Sequence, residues 1–122
     1  MTATKIDPAR FAFLIDAQMN ITANEQKPGP PERLPGMTVG IVDLTEDPPH
    51  NGELHPDGDE LLYVISGAIR VTFESSPNEH TDLIAGDATV VPKGEWHNVH
   101  LLEPTRLLHI TPGPNGDHRP LT

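Results

Sequence analysis

From Met37 onward the chain is interrupted so regularly that no long helix can form. Runs of four to eight strand-forming residues are separated by Asp47-Pro48-Pro49, Ser66-Gly67, Ser75 to Asn78, Gly86-Asp87, Pro92-Lys93-Gly94 and Glu103-Pro104. Proline removes a backbone donor and fixes φ, and glycine and aspartate favour turns. Short strands at this spacing predict an all-β sandwich or barrel. Residues 60–65 and 68–74 read as a hairpin closed by Ser66-Gly67, and residues 96–102 and 105–111 as a last pair split by Glu103-Pro104.

The 14 prolines and 10 glycines extend this punctuation over all 122 residues. One domain, 1–122, is expected, with the barrel at about 37–111. A chain of this size buries roughly two-thirds of its unfolded surface, enough for one core. Residues 28–35 hold four prolines and must be a loop. Upstream, Phe11, Phe13 and Ile15 share a face if extended and could cover a sheet edge; a short helix is the alternative. The tail, 112–122, is expected to be extended or mobile.

Charge narrows the functions. A net charge of −10 repels nucleic acid and anionic membrane, so neither is an expected partner. The first 16 residues lack a signal-peptide pattern, and no apolar run approaches the ~20 residues of a membrane span. A cytoplasmic protein is the expectation. With no cysteine, any metal must be held by imidazole and carboxylate, a set suited to iron, manganese, zinc or nickel.

Two segments carry that chemistry: Glu53-Leu54-His55, then Glu60 and Gly67; and Gly86, Pro92, Gly94 and His97. In a strand, residues i and i+2 face one side, about 6.5–7 Å apart, so Glu53 and His55 point inward together. Glu60 opens the next strand and His97 a later one, and a small barrel brings them together. Gly67 and Gly94 allow turns with positive φ, and Pro92 presets the turn before His97.

These spacings resemble the cupin family. Its first motif has two His separated by one residue, then Glu, then Gly. Its second has Gly, Pro, Gly and His at the intervals of Gly86, Pro92, Gly94 and His97. The resemblance implies a cupin β-barrel, a jelly-roll-like double-stranded β-helix. It also implies a divalent metal ion (Fe, Mn, Zn or Ni) on His55, Glu60 and His97, and commonly a homodimer.

The chain departs from the pattern at two positions. Glu53 stands where the family has its leading His, and Leu101 where it often has Asn. With Glu53 as a fourth ligand, two imidazoles, two carboxylates and one divalent cation sum to zero charge. Without a cation, one of two inward carboxylates is expected to stay protonated. Alternatively Glu53 is a catalytic acid or base beside a three-ligand metal. Tyr63 and Trp96 are expected to face outward, and His50, His80, His100 and His118 to lie on the surface. His109 could line the pocket, but its face is open.

Three functions follow. The first is a metal-dependent enzyme acting on a small organic molecule, of the dioxygenase, isomerase, lyase or decarboxylase kinds that the resemblance implies. The second is a non-catalytic small-molecule-binding cupin. The third is a pocket retained only for assembly. The mixed His/Glu set favours the first.

Overall fold

The computed structural model describes residues 1–28 and 33–121. Residues 29–32 of the proline-rich loop and Thr122 lie outside the described residues. All regular structure among the described residues is strand: β1 (Phe11–Ile15), β2 (Ile21–Glu25), β3 (Met37–Leu44), β4 (Glu53–Leu54), β5 (Glu60–Phe73), β6 (Thr81–Ile84), β7 (Ala88–Val91), β8 (His97–Pro112) and β9 (Asp117–His118). No helix among them is long and apolar enough to cross a membrane. The all-β barrel architecture matches the sequence expectation, and the N-terminal segment is a strand.

The expected hairpin at Ser66-Gly67 does not form. Residues 60–73 are one strand that runs antiparallel to another single strand, β8. Leu61 to Val64 pair with Ile110 to Leu107, and Ile69 to Phe73 pair with Leu101 to His97. Between these stretches the register shifts three times, across Val64, Ser66, Ala68 and Ile69. Gly67 sits there with φ +94°. A Cβ at Gly67 would lie 2.3 Å from the Pro104 carbonyl oxygen, so only glycine permits this approach. Ser66-Gly67 and Glu103-Pro104 are thus facing halves of one bulge, where proline's missing donor is tolerated.

This bend makes the barrel. The first half of β5 continues a layer of β2, β1, β3, the second half of β8, and β7. The second half of β5 belongs to a layer of β6, the first half of β8, β4 and β9. The bulge also reverses the facing of β5. Glu60, Leu62 and Val64 are buried before it, Ile69 and Val71 after it. Leu62, Val64, Ile69, Val71, Leu83, Val91 and Leu107 form the core between the layers.

The tail is tied down. Beyond Gly113, Asp117 and His118 pair with Leu54 and Glu53. Arg119 exchanges backbone hydrogen bonds with Asn51 and Gly52, lays its guanidinium 4.0 Å from the Trp96 ring centroid, and pairs with Glu74 through two 3.0 Å contacts.

Candidate metal centre

Each predicted ligand is delivered by a strand or strand end. Glu53 lies on β4, opposite His97 at the start of β8. His55 follows β4, where the Gly94 N–H donates to its carbonyl at 2.9 Å. Glu60 opens β5 on the inward face, paired with Val91. His55, Glu60 and His97 are buried, at 3%, 6% and 2% exposure. The Glu53 side chain is 27% exposed and stands nearer the mouth.

Both carboxylates approach the imidazoles. Glu60 bridges the imidazoles, with Oε2 3.2 Å from His55 Nε2 and Oε1 3.3 Å from His97 Nε2. Glu53 Oε1 lies 3.6 Å from His55 Nε2. Glu53, His55 and His97 offer ligand atoms that all fall within 4.8 Å of one another. The Glu95 carbonyl accepts from His97 Nδ1 at 3.1 Å, so a neutral His97 ring turns the lone pair of Nε2 to the cavity. His55 is different: neither of its buried ring nitrogens has a hydrogen-bond partner. The nearby carboxylates approach it without hydrogen-bond alignment. A cation among these groups would satisfy the orphaned nitrogen, and the donor set suits a first-row divalent metal.

The charge states correct one expectation. Burial pushes the Glu60 carboxyl up, but the His55 and His97 imidazoles and the Thr111 hydroxyl outweigh it and hold Glu60 well below the usual carboxylate range. The buried carboxylate therefore stays ionised without a metal. Burial pushes His97 down, and Glu60 and the Glu95 carbonyl more than reverse this, raising it above the ordinary imidazole value.

The cluster lies in a cavity of about 630 Å³ with apolar walls that include Leu62, Val99 and Leu107. His109 lines it. Its Nδ1 lies 2.7 Å from the Thr111 hydroxyl, which donates to Glu60 Oε2 at 2.6 Å. Burial keeps His109 below the usual imidazole value. Its face follows from β8 being one strand: His97, Val99, Leu101, Leu107, His109 and Thr111 are all an even number of residues apart. Splitting the strand at Pro104 hid that signal.

His50 is not the surface residue expected. Its side chain is 17% exposed and burial lowers its pKa; Nε2 lies 3.7 Å from Glu53 Oε2. His118 is half exposed, but its Nε2 reaches 3.4 Å from Glu53 Oε1. Tail residues Pro114, Asn115 and Gly116 form part of the cavity wall. His80 and His100 are exposed, as expected, and His100 pairs with Asp47. Tyr63 lies outward, 37% exposed.

The profile of the family described as "Cupin domain" matches residues 44–111. Two germin-like proteins of Oryza sativa subsp. japonica align over 71 residues: 9-3 at 39% identity and 9-2 at 46%. The alignments cover 52% of this chain but only 32% of those proteins. A cupin-2 domain protein from Shewanella frigidimarina superposes with a TM-score of 0.53 at 25% identity, covering 62% of this chain and 70% of its own. Bacillus subtilis oxalate decarboxylase, in a structure concerned with its Mn(II) centres, superposes with a TM-score of 0.53 at 26% identity. That match covers 67% of this chain and 23% of the decarboxylase.

Proposed function

The chain belongs to the cupin domain family, and from that premise we propose a metal-binding enzyme acting on a small organic molecule, with one divalent cation held by Glu53, His55, Glu60 and His97. The observation that carries this reading is His55, buried with both ring nitrogens unsatisfied beside two carboxylates and a second imidazole. Leaving such a group unpaired costs about 1–3 kcal/mol, which a bound cation would relieve. The cavity volume falls within the roughly 300–1,000 Å³ typical of small-molecule sites.

A bound divalent cation would supply Lewis acidity toward a substrate oxygen. The protein's own groups do the rest. Leu62, Val99 and Leu107 keep water from the inner end and strengthen every charge interaction there. The contacts from His109 through Thr111 fix the Glu60 carboxylate. Glu53, a quarter exposed, can exchange a proton with solvent past His50 and His118. This exposure supports the second reading of Glu53, as a proton-transfer group. The Mn(II) centres of the matched decarboxylase support manganese as the first cation to test, ahead of iron, zinc and nickel.

The test is elemental analysis of purified protein by mass spectrometry, with His55→Ala and His97→Ala beside the wild type. The expected result is a first-row divalent metal in the wild type and loss of the equivalent held by His55 and His97 in both variants. Full retention in the variants, or a metal-free wild type that takes up none on titration, would overturn the reading. A non-catalytic binder would keep the metal and show ligand binding without turnover.

A further inference from the structure

A second group of ligating side chains converges at the cavity mouth: His50, Glu53 and His118, whose candidate ligand atoms all lie within 4.8 Å of one another. They come from the loop before β4, from β4 and from β9. The backbone holds them together. Glu53 and His118 are register partners. The Asn51 N–H donates to the Arg119 carbonyl at 2.8 Å, and the Arg119 N–H to the Gly52 carbonyl at 3.0 Å. The His50 and His118 rings meet edge to face, with centroids 4.8 Å apart.

The contacts within this group are too long for good hydrogen bonds. His50 and His118 stand 3.7 and 3.4 Å from the Glu53 oxygens, whereas N–H···O bonds fall at about 2.7–3.2 Å. They suit a shared cation instead. Ligand atoms at about 2.0–2.2 Å from a tetrahedral metal stand roughly 3.3–3.6 Å from each other; the His118 contact, to Oε1, falls in that range, and the His50 contact, to Oε2, lies just beyond it. The Gly52 N–H reaches His50 Nδ1 only at 3.3 Å, so shifting the His50 proton to Nδ1, which frees Nε2, sacrifices little. The nearest tail cation points elsewhere, since the Arg119 guanidinium is engaged by Glu74 and Trp96.

We propose a second divalent-cation site at the cavity mouth, held by His50, Glu53 and His118, with the Glu53 carboxylate shared between this site and the inner one. Three protein ligands leave one position of a tetrahedral cation open to the cavity. The outer site goes beyond the inner-metal reading and does not require it, because His50 and His118 take no part in the inner cluster. Its cation is held more weakly than the inner one, since its ligands are more exposed and His50 must change tautomer.

The test titrates metal-stripped, full-length protein with Zn(II) alone, counting equivalents by calorimetry and by elemental analysis after desalting. The expected result is two equivalents in the wild type, the second at least tenfold weaker. His50→Gln and His118→Gln, on separate elements so that misfolding of one does not decide the matter, should each retain one. Two equivalents in both variants, or a single wild-type equivalent that His97→Ala abolishes and His118→Gln leaves intact, would overturn the outer site. A single equivalent lost in His118→Gln but kept in His97→Ala upholds the outer site and overturns the inner. No binding at all overturns both.

Discussion

Glu53 stands between imidazoles on two sides, His55 within and His50 and His118 without, so substitutions there distinguish its roles. As an inner ligand, Glu53→Gln removes a charge and a strong donor, and inner-metal affinity should fall by at least the roughly 10–100-fold seen when even supporting groups are lost. Glu53→His should restore the inner affinity but not the outer site. As a proton-transfer group, Glu53→Gln should leave the inner metal unchanged and slow turnover by about 10²–10⁴ once a substrate is known. Metal titrations of both variants decide between these. At the opposite wall, a Cβ at Gly40 would lie 2.4 Å from His109 Nε2. Gly40→Ala should therefore turn the His109 ring off Thr111, at a cost of about 1–3 kcal/mol from overpacking. The His109 ring resonances in NMR would report it, and an unmoved ring would contradict the expectation. His55, Glu60 and His97 were legible because fixed turns set their spacing. His50 and His118 were not, since a histidine beside prolines carries no facing signal until a partner strand fixes its loop.

The strands show where local reading stops. Turn chemistry located Ser66-Gly67 and Glu103-Pro104 correctly, yet a bulge and a hairpin use the same residues. Only the pairing of β5 with β8 along both halves separates them, and that is a long-range choice. The bulge depends on Gly67. Gly67→Ala should destabilise the fold by about 1–3 kcal/mol from backbone strain alone, with more from the contact with Pro104. Urea unfolding measures it, and an unchanged midpoint would contradict this role. The two-residue strands β4 and β9 are too short for any period to show, so the tail's place was invisible. Arg119→Ala should cost stability little, about 0–1 kcal/mol, because the Glu74 pair is exposed. It should raise amide exchange at residues 117–119, where the Trp96 contact and that pair hold the tail.

For the whole molecule, the proposed metal and the proton would compete. Because His97 is raised above its unfolded value of about 6.5, its contribution to metal-free stability is complete below that pH. It is lost as pH rises through the folded value. Cation binding needs neutral imidazoles and runs the other way. Melting temperatures with and without Mn(II), at pH 5.5 and 8, should therefore show a metal-dependent gain that grows with pH. A saturating cation at 100 times its Kd adds about 2.7 kcal/mol. A gain that shrinks with pH would argue against imidazole ligation. Assembly is a separate proposal: β2, with exposed Ile21, borders the sheet beside β1, and we expect a homodimer of twice 13.3 kDa by light scattering. The charge of −10 favours cations near the surface generally, and among the described residues the groups that could hold one are the inner cluster and the barrel mouth. There the tail's attachment has a kinetic consequence. Because His118 reaches the proposed outer site through β9, fraying of residues 117–119 would remove one of that site's three ligands, so its cation should dissociate faster in any variant that raises amide exchange there.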